Sequence, residues 1–194
     1  LSRIMKWINV QPVQRAQDDV GSAEERKKAN SALIDTLAEL VANGERIAIF
    51  PEGMSHTQSH AVDIKTGAAR ILLEAHRRAA KAGKPAPSIV PIGLHYSDQH
   101  SFRERVSLQI NRSMETPPLP QEEGAPLPSE EELKQYGEQA HDRVWCDSVT
   151  ALLQTELNRI SHAQESWEDR ELVWRARRMI HTIRSGEKVS KIGY

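Results

Sequence analysis

From Trp7 to Leu94 the apolar pattern switches repeatedly between the period of a strand and the period of a helix. That alternation restricts the fold more than any other feature. Trp7–Val13 alternates, is rich in β-formers and runs into a polar stretch at Arg15, Asp18 and Asp19, predicting a strand followed by a loop. Ser22 with Glu25 makes a capping-box pair, and Ala29, Leu33, Leu37, Leu40 and Val41 then recur at helical spacing until Asn43 and Gly44 close the run. Arg46–Phe50 contains the continuous apolar run Ile47, Ala48, Ile49, Phe50, which predicts a strand covered on both faces and stopped by Pro51, Glu52 and Gly53. Thr66 or Gly67 opens a second helix with Ala68, Ile71, Leu72, Ala75 and Ala79 on one face, closed by Gly83 and Pro85. Ser88–Leu94 reads as a further buried strand, and Arg105–Asn111, alternating Val106, Leu108 and Ile110, as a last one at an edge.

Strands separated by single helices at these spacings predict an α/β fold whose mixed, largely parallel sheet is flanked by crossover helices. Ligands of such sheets collect at the carboxyl ends of strands, where Arg15, the Glu52–His60 loop and the His95–Asp98 loop would lie. Five prolines between Met114 and Pro128 predict a linker. Beyond it, Ser129 with Glu132 forms another capping box, and Leu133, Tyr136, Ala140, Val144, Trp145, Val149, Leu152, Leu153 and Leu157 trace one long amphipathic stripe. After a break near Ser161–Ser166 a second helix is expected over Trp167–His181. The expected organisation is a partial α/β domain over residues 1–113, a Pro-rich linker over 114–128 and a C-terminal helical extension over 129–194.

The net charge is -1, from 26 basic and 27 acidic residues, so nothing steers the whole molecule to a polyanion and no nucleic-acid partner is expected. Any anion must be recognised by a local patch. The lone Cys146 cannot form an internal disulfide, which fits a reducing compartment and a buried, inert thiol. No stretch approaches the roughly 20 consecutive apolar residues that span a bilayer, and Leu1–Val10 lacks the apolar centre of a signal peptide. The chain as it stands is expected to be soluble or peripheral. Its opening, Leu1 in place of Met and Lys6–Val13 patterned like an internal strand, leads to the expectation of further sequence upstream.

The segment with the most chemistry is Ile49–Arg70, IFPEGMSHTQSHAVDIKTGAAR. Gly53 allows close backbone approach, Ser55 and His56 offer short-range donors, Lys65 brings a positive charge, and Gly67 opens a helix whose unpaired N–H groups favour an anion. These are the parts of a phosphate pocket. Arg15 adds a planar fork suited to bidentate phosphate contact.

Phe50, Pro51, Glu52, Gly53 match letter for letter the FPEG motif of the glycerophospholipid acyltransferases, the family of the lysophosphatidate and glycerol-3-phosphate enzymes. Val13, Gln14, Arg15 resembles the end of that family's arginine motif, and Val90, Pro91, Ile92, Gly93 resembles its VPIG motif. Order and spacing agree over about the first half of the chain. Met54, Ser55, His56 replace the Thr, Arg, Ser of many bacterial members. This form, followed by Lys65, Thr66, Gly67, looks more like the glycerol-3-phosphate and dihydroxyacetone-phosphate branch. The resemblance implies transfer of a fatty acyl group from acyl-CoA or acyl carrier protein to a hydroxyl of glycerol 3-phosphate or a lysophospholipid, in phospholipid biosynthesis at the cytoplasmic face of a membrane. It implies no metal or organic cofactor. Arg15, Glu52, Gly53, Ser55, His56 and Lys65 would then bind the acceptor phosphate or shape its pocket. The family's general base is a histidine followed, after any four residues, by an aspartate; none of the eight histidines here has that spacing. Truncation is the preferred explanation, and a non-catalytic phosphate- or lipid-binding relative is the alternative.

Plainer readings stand beside these. Phe50–Gly53 alone could be a strand ending in a turn, and Lys65 a solvated charge, although a cation at a helix N-terminus is mildly unfavourable without an anionic partner. His56 and His60 are four apart, yet Pro51 and Gly53 favour a loop there and no third ligand is evident, which disfavours a metal site. Gly53, Met54, Ser55 is a partial nucleophile elbow, with Asp63 and a histidine as possible partners, but Thr57 replaces its second glycine and Pro51 and Glu52 are unusual before such a turn. The apolar stripe after Ser129 reads first as packing. Trp145, Trp167 and Trp174, with Arg175, Arg177 and Arg178 nearby, make an anionic membrane surface the second reading.

Overall fold

A computed structural model of the chain describes residues 22–53, 62–96, 106–161 and 167–185. They divide into two compact units. One takes the described residues up to Pro51 with Lys65–Ile89 and Glu115–Thr150; the other takes Glu52–Ile64, Val90–Met114 and the residues from Ala151 onward.

The first unit is built on two helices, α1 (Ala23–Ala42) and α2 (Gly67–Lys81). The predicted capping box starts α1: the Ser22 side chain accepts from the Glu25 N–H, and the Glu25 carboxylate accepts from the Ser22 N–H at 2.7 Å. Both helices end the same way. Gly44 (φ 93°) and Gly83 (φ 63°) take the left-handed turn, so that Glu45 N–H reaches the Leu40 carbonyl and Lys84 N–H reaches that of Ala79. The helices run side by side in one direction, because the Arg78 guanidinium binds Asp35 and Glu39 while Lys84 Nζ donates to Asn43 at 2.6 Å. Ala38 and Ala75, both fully buried, let them approach closely, and Ile71, Ile34, Leu37, Val41 and Ile47 close the cluster.

Arg46–Phe50 differs from expectation. It forms no strand among the described residues, and Phe50 is 75% exposed. Ile47 packs on the α1–α2 cluster; the strand expected at Trp7–Val13 lies outside the described residues. The described strands, β1 (Ile92–Tyr96) and β2 (Val106–Ile110), pair antiparallel in the second unit, Ile92 opposite Ile110 and Leu94 opposite Leu108. A largely parallel sheet is thus not present among the described residues. The predicted edge strand is found where expected, and the buried strand predicted at Ser88–Leu94 begins only at Ile92. Ile92 and Leu94 are exposed, as are Val106, Leu108 and Ile110; alternate positions share a face, so these five make one apolar side of the hairpin.

The long stripe after Ser129 is interrupted. Gly137 (φ 56°) divides it into α3 (Glu130–Tyr136), which has the predicted Ser129–Glu132 capping box, and α4 (Gln139–Ser161). Within the first unit, Trp145 and Val149 of α4 are buried, and the Trp145 indole N–H donates to the carbonyls of Pro117 and Pro118, at 3.2 and 3.0 Å. The Pro-rich stretch therefore has no helix or strand but is anchored along α4. Arg77 grips Asp142 in a two-pronged ion pair at 2.5 and 2.7 Å, joining α2 to α4. Burial pushes the Cys146 thiol up to about 11, so it stays protonated and unreactive as expected. In the second unit Asn111 Nδ2 donates to Glu156 of α4 at 2.7 Å, and α5 (Trp167–Ser185) follows.

Candidate functional site

Pro51 and Glu52 form a turn and Gly53 leaves it with φ 68°. No atom stands within 4 Å of where a Gly53 Cβ would be, so the backbone angle, not crowding, is what requires glycine there. Twelve residues later the chain returns: Lys65 N–H donates to the Pro51 carbonyl at 3.0 Å, a bond inside the first unit. The turn that ends FPEG and the residue that precedes α2 are thereby held together. The Lys65 side chain is exposed.

The start of α2 is unlike the starts of α1 and α3. Those two begin with capping boxes and acidic first turns, Glu24 and Glu25 in one, Glu130, Glu131 and Glu132 in the other. Helix α2 has Thr66 as its N-cap residue, which makes no side-chain capping bond, and has no acid in its first turn; Lys65 stands just before Thr66. The first amides of a helix lack intrahelical acceptors and carry partial positive charge. Among the described residues neither a side-chain cap nor a first-turn acid answers that charge at α2, and Lys65 adds to it. The chemistry of such an end suits an anion.

Of the residues singled out from sequence, the described ones are Glu52, Gly53 and Lys65; Arg15, Ser55 and His56 lie outside the described residues, as do His60 and most of the nucleophile-elbow segment. Glu52 and Gly53 belong to the second unit and Lys65 to the first. Gln154 of α4 makes a contact that the sequence does not mark: its Oε1 accepts the N–H of buried Ile64 at 3.0 Å, within the second unit. Ninety positions separate the two residues and no periodic signal marks the contact.

Residues 1–95 match the acyltransferase family model. An uncharacterized acyltransferase of Schizosaccharomyces pombe is 31% identical over 77 residues, 40% of this chain and 11% of that protein. Glycerol-3-phosphate O-acyltransferase 1 of Saccharomyces cerevisiae is 30% identical over 91 residues, 47% of this chain and 12% of that protein. The chain thus spans about a ninth of the length of these curated relatives. No solved structure matches.

Proposed function

From the match of residues 1–95 to the acyltransferase family model, we propose that this chain forms the acceptor-phosphate side of an enzyme acylating glycerol 3-phosphate or a lysophospholipid. The acyl donor is a thioester of CoA or acyl carrier protein. The acceptor hydroxyl attacks the thioester carbonyl, its proton passes to a base, and the thiol leaves; thioester cleavage drives the exchange without a metal or organic cofactor. The share of this work assigned to the present residues is recognition. Proton abstraction falls to a histidine–aspartate pair that these 194 residues do not contain at the family spacing.

The observation that carries the proposal is the uncapped, acid-free start of α2, preceded by Lys65 and tied through its N–H to Pro51 of the FPEG turn. Arg15, Ser55 and His56 complete the proposed phosphate contacts, with Glu52 and Gly53 shaping the turn. The parallel course of α1 and α2 supports the wider reading of an α/β domain, since two crossover helices on one face of a largely parallel sheet run in the same direction. In that reading residues 1–113 belong to the acyltransferase portion, 114–128 form the connection and 129–194 the helical extension. The work is placed at the cytoplasmic face of a membrane, in phospholipid biosynthesis.

Steady-state kinetics of the protein that carries this segment tests the proposal. Lys65→Ala and Arg15→Ala should each raise KM for glycerol 3-phosphate by at least tenfold, a charge-assisted contact being worth about 1.5–3 kcal/mol, with KM for the acyl donor unchanged. Unchanged acceptor KM in both variants would sink the assignment. Retained phosphate binding with no acyl transfer would instead mark a binding protein.

A further inference from the structure

We propose that α5 is an interfacial helix that lies in the surface of an anionic bilayer. Four of its described apolar side chains are not packed away: Leu172, Met179, Ile180 and Ile183 are 65, 66, 52 and 78% exposed. At about 100° per residue these four, with Ala176, fall in one stripe about 100° wide. Arg175 and Arg184, both exposed, lie on opposite sides of the stripe, about 40° beyond its edges. Long basic side chains in that position keep their heads in water or among phosphates while their stems cover apolar surface.

Charge selects the occupant. From Leu172 to Ser185 the helix has Arg175, Arg177, Arg178 and Arg184 and no acid, its acidic residues being Glu168, Asp169 and Glu171 at the N-terminal end. A second copy would cover the apolar stripe but would bring the same excess of arginine, with no acid between Leu172 and Ser185 to offset it. A bilayer of anionic lipids takes both features together, apolar stripe into the acyl boundary and arginines onto the headgroups. The ion pair of Arg175 with Glu171, at 2.5 Å, is between two well-exposed side chains and so is weak enough for a headgroup to displace. No described helix is long and apolar enough to cross a membrane, which leaves the in-plane arrangement for α5. None of this depends on the acceptor site.

Co-sedimentation of the 194-residue chain with vesicles of phosphatidylcholine alone, or mixed with phosphatidylserine, tests it. Binding is expected to the mixed vesicles only and to weaken as salt rises from about 0.1 M to about 1 M. Neutralising one arginine should cost about fivefold in affinity, so Arg175→Gln with Arg184→Gln should cost about 25-fold. Met179→Asp with Ile183→Asp should abolish binding while far-UV circular dichroism stays unchanged, since both positions are exposed. Equal binding to neutral vesicles, no binding to anionic ones, or arginine variants that bind like the parent would overturn the proposal. So would a dimer in analytical sedimentation that Ile183→Asp dissolves without affecting vesicle binding.

Discussion

His76 shows how one residue's surroundings set a property of the whole protein. It sits on α2, half-buried, and its Nε2 is buried without a hydrogen-bond partner among the described residues. Burial pushes the imidazole below its ordinary 6.5, against the opposing pull of Glu122 and of a hydrogen bond with the Pro87 carbonyl. The unfolded chain therefore binds the proton more readily than the folded one. The stability this neutral ring contributes is complete above about pH 6.5 and is lost as pH falls through the lower folded value. Urea midpoints at about pH 7.5 and pH 5.5 should differ for the parent and differ less for His76→Phe; equal pH sensitivity in both would refute this. In the sequence His76 is only one more polar position on an apolar helix. Nothing within reach of a helical period indicates Pro87 or Glu122, so its burial had to come from the fold. Gly53 is the opposite case: its role as the residue that ends the Pro51–Glu52 turn was legible from the tetrapeptide itself, and the positive φ agrees.

At the scale of elements, what local chemistry specifies was readable and what distant contact specifies was not. Both capping boxes, at Ser22 and Ser129, and the helix stops at Gly44 and Gly83 follow from residues a few positions apart. Gly137 was passed over inside an apolar stripe, because Leu133, Tyr136, Ala140 and Val144 keep helical spacing across it while its backbone breaks the helix. Arg46–Phe50 has the composition of a buried strand, but composition cannot supply the neighbouring strand it would need. The joins between elements are likewise nonlocal: Arg77 and Asp142 lie 65 positions apart. Each side chain is a little over one-third exposed, so solvent screens the pair, and Asp142→Asn should cost only about 1 kcal/mol in chemical denaturation. Trp145, fully buried and bonded to two proline carbonyls, is the stricter anchor, and its loss would release the Pro-rich stretch as well as open a cavity.

For the molecule as a whole, the family resemblance was readable because its motifs are short, ordered and spaced, and FPEG, the arginine segment and VPIG all fall within the matched residues 1–95. The proposed site was less readable, since a helix start suited to an anion is defined by what it lacks: α2 differs from α1 and α3 in having neither a side-chain cap nor a first-turn acid. That difference, with Lys65 held to Pro51, is the physical centre of the account. Calorimetric titration of this chain with glycerol 3-phosphate, with glycerol as control and Lys65→Ala as variant, tests it most directly. Saturable binding of the phosphate ester, none of glycerol, and at least tenfold weaker binding by Lys65→Ala is the predicted result. Binding that is indifferent to the phosphate or unchanged in the variant, or no binding at all, would contradict the assignment.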